Sequence, residues 1–194
     1  MLYIFDMGGV VTNTAKVIEP ICKILHLSED AFMSYCTDLV GSYSDGAITT
    51  SQFWETFSKR SGKTVKTDWW HCLFHPVRNE KTYEIICQLK KAGNRVVCGT
   101  NTIDSHYRNH CERGDYTVFD QVYASCFMGV SKPNKEFWEV ILTSENVDAK
   151  DAVFIDDREE NCAAAAALGI RAIRYLTAEA LAKEIALNSL QEDR

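Results

Sequence analysis

The N-terminal stretch Met1-Leu2-Tyr3-Ile4-Phe5-Asp6-Met7-Gly8-Gly9-Val10-Val11 decides the fold, because its short apolar run ends abruptly at a carboxylate. Two later runs have the same form: residues 95–98 come before Thr100-Asn101, and residues 152–155 come before Asp156-Asp157. Short, continuous apolar runs of this kind are typical of strands buried in a parallel sheet. We therefore predict three such strands, each followed by polar residues.

Helical patterns separate these runs. Two more strands are predicted at residues 121–125 and 171–175, and five helices at 80–91, 103–111, 134–142, 159–168 and 178–189. Gly93 and Gly169 stand just past two of these helices, where glycine supplies the left-handed conformation that ends a helix. The alternation of strands and helices predicts an α/β protein built on a layered sheet.

Residues 14–78 interrupt this alternation, since they contain helical patterns at 17–25, 29–40 and 51–61 but no strong strand. Aromatic residues concentrate there: Phe53, Trp54, Phe57, Trp69, Trp70 and Phe74. We expect these side chains to form the core of a small helical unit, which is compatible with a second role as a lid over a substrate. The predicted domains are an α/β core, residues 1–13 plus 79–194, and a helical cap, residues 14–78.

The overall composition excludes several classes of protein. The 194 residues are 46% hydrophobic and 25% charged, with a formal net charge of −6, which is ordinary for a soluble globular protein. The acidic excess and the lack of a basic stripe argue against a nucleic-acid partner. No apolar run approaches the roughly 18 residues that span a bilayer, and the N-terminus lacks the basic segment of a signal peptide. We therefore expect no membrane association and a cytoplasmic location.

The eight cysteines lie at least 11 positions apart, so the sequence contains no C-x-x-C motif for zinc or redox chemistry. Several of them lie in apolar runs, as Cys98 does. In a chain of this length with an ordinary core, we expect reduced, buried thiols rather than a disulfide framework.

The polar residues at the strand ends form a candidate site. Ligands of a parallel α/β sheet bind beyond the carboxyl ends of its strands, where Asp6, Thr100 and the Asp156-Asp157 pair stand. Two unit charges about 4 Å apart repel by about 4 kcal/mol at an effective dielectric constant of roughly 20. Converging carboxylates therefore need a compensating cation, and Mg²⁺, which prefers oxygen ligands, is the natural candidate. Such a site suits phosphoryl transfer, in which catalysis is mostly positioning and charge stabilisation.

Four short motifs occur in order along the chain. They are Phe5-Asp6-Met7-Gly8-Gly9-Val10-Val11, Gly99-Thr100-Asn101, Lys132-Pro133 and Phe154-Ile155-Asp156-Asp157. Together they resemble the motifs of the haloacid dehalogenase-like (HAD) superfamily, over nearly the whole chain. The resemblance implies a Rossmann-like three-layer core with a parallel sheet and a small helical cap inserted after the first strand. Within the superfamily, residues 1–6 and Asp45-Gly46-Ala47-Ile48 most resemble bacterial sugar-phosphate phosphatases related to the phosphatase domain of soluble epoxide hydrolase.

The resemblance implies a Mg²⁺-dependent phosphatase whose substrate is a small phosphorylated metabolite, in particular a sugar phosphate. Asp6 would attack phosphorus and form an aspartyl-phosphate, which water then hydrolyses. The Thr100 hydroxyl and the Asn101 amide would hold the phosphoryl oxygens. Lys132 would bridge Asp6 and the phosphate.

The resemblance also implies the metal ligands. These would be a carboxylate oxygen of Asp6, the main-chain carbonyl of Gly8, and Asp157, with Asp156 a direct or water-mediated ligand. Asn161 follows Asp157 by four residues, so a helix that starts there would bring its side chain beside the metal ligands.

Gly8 departs from the family pattern. The family's phosphatases usually carry a second aspartate two residues after the nucleophile, as general acid and base, and Gly8 stands at that position. A positioned acid or base contributes about 10²–10⁴-fold to a rate, so we expect slower turnover with the nucleophile and the metal site retained. An enzyme without this acid should favour leaving groups that need little protonation, such as sugar 1-phosphates.

Two alternative functions stay open. A halide leaving group needs no acid, so haloacid dehalogenase chemistry would explain Gly8. However, the family's dehalogenases bind the substrate carboxylate with an early arginine, and this chain has none before Arg60. The other alternative is a non-catalytic binding domain of the same fold, whose only support is the missing acid. The sequence gives no indication of the oligomeric state.

Two histidine pairs are weaker candidates for a metal site. His71 and His75, and likewise His106 and His110, have the spacing that puts two ligands on one face of a helix. Because no glutamate completes an H-E-x-x-H pattern, we expect structural or solvent-facing roles. His106 and Arg108 closely follow the second motif, so their contact with the leaving group is a further hypothesis.

Overall fold

A parallel sheet forms the centre of the molecule in the computed structural model, which describes residues 1–189. The five strands in this part of the chain are β1 (Leu2–Phe5), β2 (Arg95–Thr100), β3 (Gln121–Ala124), β4 (Ala152–Asp156) and β5 (Arg171–Arg174). They lie in the order β3-β2-β1-β4-β5, and all neighbours are parallel. The predicted α/β fold class is therefore confirmed. The central strand is β1, in which Phe5 pairs with Cys98 of β2 and with Ile155 of β4.

Ten α-helices accompany the sheet within residues 1–189. They are α1 (Ile18–Leu25), α2 (Glu29–Ser44), α3 (Thr50–Ser61), α4 (Trp69–Cys72), α5 (Glu80–Lys91), α6 (Asp104–Arg113), α7 (Ser125–Met128), α8 (Glu136–Glu145), α9 (Glu159–Ala167) and α10 (Ala178–Ser189). Every predicted helix is present; α5 and α10 have the predicted ends, and the ends of the others differ by up to four residues. The additional helices α4 and α7 are too short for a periodic pattern to reveal. None of these helices is both long and apolar enough to cross a bilayer.

Apolar side chains are buried on both faces of the sheet. Successive residues of a strand point to opposite faces. Phe5 therefore belongs to one buried cluster with Ile86 of α5 and Leu181 of α10, whereas Ile4 belongs to the other with Trp138 of α8. A sheet buried on both faces needs continuous apolar strands rather than alternating ones, which explains the runs seen in the sequence.

Two strands extend further than the sequence indicated. Thr100 is the last residue of β2, and Asp156 is the last residue of β4. Within the sheet Thr100 is paired with Ala124, and Asp156 with Arg174. The register of the sheet therefore fixes the backbone of both polar residues at its carboxyl edge.

Helices α1 to α4 share an aromatic core of their own. Phe53, Trp54, Phe57 and Phe74 are buried in it, as expected. Trp69 and Trp70 are only partly buried and pack against it. We call residues 14–78, which contain α1 to α4, the helical segment. The division of the chain into domains at residues 13 and 79, and the role of the helical segment as a lid, stay predictions.

All eight cysteines are free thiols. Five are buried, which agrees with the expectation from the sequence: Cys22, Cys36, Cys98, Cys126 and Cys162. For Cys72 and Cys111 the expectation is wrong, because both are exposed. They lie at the last residue of α4 and in the last turn of α6. The eighth cysteine, Cys87 of α5, is partly buried.

His106 of α6 lies against the aromatic core of the helical segment. Its ring stacks on Phe74, with 3.8 Å between the ring centroids and 12° between the ring planes. Its Nε2 atom is buried without a hydrogen-bond partner in the described part of the chain. Burial, with a smaller effect of His110, lowers the pKa of His106 from 6.5 to about 3. α6 therefore packs a neutral imidazole against Phe74.

We expect His106→Phe to reduce the pH dependence of stability. The unfolded chain takes up a proton on His106 near pH 6.5, whereas the folded protein keeps the ring neutral down to about pH 3. The wild-type free energy of unfolding should therefore fall by about 2 kcal/mol more than that of the variant between roughly pH 7 and pH 5. Denaturant titrations of both proteins at the two pH values measure this difference. An equal loss in both would contradict the expectation.

Candidate active site

Asp6 stands directly after β1 at the carboxyl edge of the sheet. Its main-chain N–H donates to the carbonyl of Ile155 at 2.9 Å, which continues the pairing of β1 with β4. The chain then turns tightly: Thr12 N–H donates to the Met7 carbonyl at 2.9 Å, and Gly9 N–H donates to the Thr12 carbonyl at 2.7 Å. This closed turn holds the first motif rigidly beside the Asp6 carboxylate.

Lys132 lies between two of the predicted carboxylates. Its Nζ is 2.8 Å from Asp6 Oδ1 and 2.7 Å from Asp156 Oδ2, and it donates to the Gly99 carbonyl at 2.9 Å. The side chain is only 1% exposed. Burial alone would lower the pKa of Lys132, but the charges of Asp6 and Asp156 outweigh that effect and raise it. Lys132 is therefore a buried ammonium.

Asp156 is fully buried, and hydrogen bonds occupy both of its carboxylate oxygens. Oδ1 accepts from the Arg158 N–H at 2.9 Å and Oδ2 from Lys132 Nζ at 2.7 Å. Asn161 Nδ2 lies 3.1 Å from Oδ1 and 3.0 Å from Oδ2. The carboxylate therefore orients three other groups of the site at once.

Asp157 completes a cluster of three carboxylates. Among the described residues, Asp6, Asp156 and Asp157 can offer one ligand atom each within 4.8 Å of one another. Burial, followed by the neighbouring Asp156 charge, raises the pKa of Asp157. Burial also raises the pKa of Asp6, with Asp156 adding to the effect and Lys132 opposing it. Three oxygen donors with one ammonium leave excess negative charge, so the residues present fit a Mg²⁺ ion.

A cavity of about 340 Å³ lies at this edge of the sheet. Its lining residues are Asp6, Gly8, Thr14, Thr100, Asn101, Lys132, Asp157, Arg158 and Asn161. The structure thus brings six of the seven predicted site residues to one cavity, with Asp156 behind them. Thr14 and Arg158 were not predicted, although each stands close in sequence to a motif. None of the described residues from 15 to 78 is among the lining residues.

The Asn101 side chain binds the main chain of Lys132. Asn101 Nδ2 donates to the Lys132 carbonyl at 2.8 Å, and the Lys132 N–H donates to Asn101 Oδ1 at 2.8 Å. The side-chain amide therefore binds the Lys132 main chain through its oxygen and through one of its N–H groups. Thr100 is buried, and its hydroxyl makes a long contact of 3.5 Å to the Asn101 carbonyl.

The two histidine pairs lie outside the site. His71 Nε2 is 3.0 Å from Glu112 Oε2, and His110 Nδ1 is 2.9 Å from Asp115 Oδ2. His75 is not on α4, which ends at Cys72. Among the described residues, the cluster that could hold a metal ion consists of aspartates alone.

His106 and Arg108 do not line the cavity either. His106 is stacked on Phe74, and Arg108 forms ion pairs with Asp68 at 2.9 Å and with Asp104 at 3.3 Å. The hypothesis that the two residues contact the leaving group therefore finds no support in this geometry.

Comparison with known proteins identifies the family. Residues 1–169 match the family model of the haloacid dehalogenase-like hydrolases. The chain belongs to this family. It is therefore a hydrolase, and the superfamily that the four motifs indicated is confirmed. The sugar-phosphatase branch stays a prediction.

Individual relatives agree with this placement. The chain is 25% identical over 187 residues to the sesquiterpene phosphatase astK of Aspergillus oryzae, covering 86% of this chain and 85% of that one. The matches to three further curated relatives cover between 14% and 33% of those proteins. A HAD family enzyme of Bacteroides thetaiotaomicron, solved with magnesium and inorganic phosphate, is 26% identical, with a TM-score of 0.76 over 90% of this chain and 93% of that chain. An L-2-haloacid dehalogenase of Xanthobacter autotrophicus, at 15% identity, shares the fold, with a TM-score of 0.65 over 95% of this chain and 82% of that chain.

Gly9 allows the first motif to approach Asp157 closely. Its φ is +83°, a conformation that side chains rarely adopt, and a Cβ atom there would overlap the Asp157 carboxylate. Glycine is therefore needed at this position for two separate reasons, the backbone conformation and the space.

We expect Gly9→Ala to weaken Mg²⁺ binding by about tenfold, because the added methyl group must displace the Asp157 carboxylate. Gly62→Ala is the matched control, since Gly62 has a similar φ of +70° but open space around its Cβ position. Both variants lose roughly 1 kcal/mol of stability from the strained backbone, but only the first should lose affinity. Isothermal titration with MgCl₂ measures the affinities. Equal Mg²⁺ binding by the two variants would refute the expected role of Gly9.

Proposed function

We propose that this hydrolase is a Mg²⁺-dependent phosphatase that acts on a small phosphomonoester through an aspartyl-phosphate on Asp6. The observation that carries the proposal is the buried Lys132 ammonium, 2.8 Å from Asp6 and 2.7 Å from Asp156, at a cavity of about 340 Å³. An anion that enters this cavity meets a fixed positive charge beside a carboxylate nucleophile. The names of two relatives add support, since one is a phosphatase and the other was solved with magnesium and phosphate.

The proposed reaction has two steps. An Asp6 oxygen attacks phosphorus as the bond from phosphorus to the leaving oxygen breaks, and water then attacks the aspartyl-phosphate to release inorganic phosphate and restore Asp6. Lys132 offsets the charge that builds on the phosphoryl oxygens. The Thr100 hydroxyl and the Asn101 main-chain N–H donate to the same oxygens.

The proposed metal ligands are an Asp6 oxygen, the Gly8 carbonyl and Asp157. Asp157 lines the cavity, whereas the oxygens of Asp156 already accept hydrogen bonds from three groups. We therefore assign Asp157 as the direct ligand and Asp156 as the group that orients Lys132 and Asn161. When bound, Mg²⁺ would neutralise the excess carboxylate charge and attract the phosphate.

We further propose a sugar phosphate as the substrate. Thr14 and Arg158 line the cavity together with the proposed reacting residues, and both side chains are polar. Hydroxyl groups of a sugar can form hydrogen bonds with such side chains, whereas an apolar leaving group offers them no polar contact. The lining therefore favours a sugar over a terpenoid such as the sesquiterpene in the name of the Aspergillus oryzae relative.

The alternative functions have weaker support. The likeness to the L-2-haloacid dehalogenase concerns the fold alone. Arg60, the first arginine of the chain, does not line the cavity but forms an ion pair with Asp38 at 2.6 Å. A non-catalytic binding domain is disfavoured because Asp6 and Lys132 lie in contact. Release of halide from a 2-haloacid would restore the dehalogenase alternative.

We expect Asp6→Asn to abolish hydrolysis of p-nitrophenyl phosphate, because an amide cannot attack phosphorus. The wild-type activity should require Mg²⁺ and disappear with a chelator. Asp148→Asn is the control, since the Asp148 side chain is 78% exposed and remote from the cavity lining. Thermal unfolding by circular dichroism checks that both variants fold. Undiminished turnover in Asp6→Asn, or turnover that survives the chelator, would overturn the assignment.

Gly8 generates a separate prediction about the leaving group. The wild-type enzyme should hydrolyse sugar 1-phosphates faster than matched 6-phosphates, since no acid protonates a poor leaving group. A Cβ on Gly8 meets no atom within 4 Å, so the first side-chain atom of Gly8→Asp has open space around it. We expect this substitution to raise 6-phosphate turnover by about tenfold or more. Gly8→Asn has a side chain of the same shape but no acidic group, so it should not raise 6-phosphate turnover. Faster wild-type turnover of 6-phosphates, or equal effects of the two substitutions, would contradict the idea.

A further inference from the structure

The C-terminal end of α2 contacts the loop that carries Lys132. Ser44 is the last residue of α2, and its carbonyl accepts a hydrogen bond from Ser125 Oγ at 2.8 Å. The Ser44 hydroxyl lies 3.4 Å from the hydroxyl of Ser131. Ser131 in turn donates its hydroxyl to the Asp45 carboxylate. A residue of the helical segment is therefore hydrogen-bonded to the residue that directly precedes Lys132.

Gly46 brings this part of the helical segment close to the core. Its φ is +69°, and a Cβ atom there would overlap the main-chain carbonyl of Cys126 in α7. No larger residue could follow Asp45 without moving the helical segment away from α7. The position of the Asp45 carboxylate relative to Ser131 is thus fixed by a backbone-to-backbone approach.

The main chain at Lys132 is consequently held from two sides. Asn101 binds its N–H and its carbonyl, both at 2.8 Å, from the strand side. Asp45 binds Ser131 from the side of the helical segment. The position of Nζ between Asp6 and Asp156 depends on this main chain, and displacements of about 1 Å in a catalytic group can cost about 10²-fold in rate.

We propose that Asp45 is a positioning residue for Lys132: through Ser131, it couples the docking of the helical segment to the placement of the buried ammonium. The inference rests on the proposed function only for its effect on turnover. Asp45 touches neither the cavity nor the reacting groups, so it acts through the loop alone.

Three substitutions test the contact, and one serves as a control. Asp45→Ala and Ser131→Ala each remove the hydrogen bond, from opposite sides. Asp45→Asn keeps an oxygen that accepts it. Tyr43→Phe is the matched control, because Tyr43 is on the same helix and its hydroxyl bonds Ser105 at 2.8 Å, away from the Lys132 loop.

The first measurement is turnover of p-nitrophenyl phosphate with Mg²⁺. We expect Asp45→Ala and Ser131→Ala to lower kcat by about tenfold, and the double variant to be no worse than either single one. Asp45→Asn should stay within about twofold of the wild type, since it retains the acceptor. Tyr43→Phe should leave kcat unchanged even where it lowers the melting temperature.

The second measurement does not require phosphatase activity. Acetylation of Lys132, followed by mass spectrometry, should be slow in the wild type because the side chain is 1% exposed. We expect acetylation to be faster by about tenfold in Asp45→Ala and Ser131→Ala but not in Tyr43→Phe, because loosening of the loop lets solvent reach Nζ. If Asp45→Ala does not fold, Ser131→Ala tests the same bond.

The outcomes separate this inference from the proposed function. Wild-type kcat and wild-type acetylation in Asp45→Ala and Ser131→Ala would overturn it. The inference would also be overturned if Tyr43→Phe changed kcat and the acetylation rate as much as Asp45→Ala does. Any loosening of the helical segment, and not the Asp45–Ser131 hydrogen bond, would then explain both effects. If the wild type hydrolyses no phosphomonoester but the acetylation difference is present, the proposed function fails while the coupling stands.

Discussion

The buried ammonium of Lys132 is the interaction on which the whole site depends. Removing charged groups from water costs several kcal/mol per ion even after relaxation. That cost is offset because Asp6, Asp156 and the carbonyl of Gly99 surround Nζ at 2.7 to 2.9 Å. These three partners come from β1, β4 and β2 or directly follow them. One side chain thus joins the ends of the three central strands, and it presents to the cavity a charge that solvent does not screen.

The sequence predicted the sheet well because burial on both faces leaves a simple signature. A strand such as β1 has no solvent side, so its apolar residues are continuous, and the carboxylate that ends the run is conspicuous. The ends of the strands were harder to predict, because Thr100 and Asp156 are the last paired residues of β2 and β4 and not the first residues after them. Pairing at a strand end depends on the neighbouring strand, which local sequence does not describe.

Details of the candidate site depended on contacts between distant parts of the chain. Nothing in the sequence indicated that the Asn101 side chain binds the main chain of Lys132, 31 residues away. Thr14 and Arg158 line the cavity without belonging to any motif. Periodicity and motif order cannot report such pairings, because they arise only when the loops converge at the edge of the sheet.

The central place of β1 has a consequence for how the protein is made. Leu2 pairs with Arg95 and with Ala152, so both neighbours of the first strand emerge from the ribosome long after it. Closing such long loops is slow, and an unpaired strand invites association with other chains. Helices α1 to α4, in contrast, build their aromatic core from contacts near in sequence. Contacts within the helical segment therefore become available early in synthesis, whereas Asp6 meets Lys132 and pairs with Ile155 only after those residues have been made.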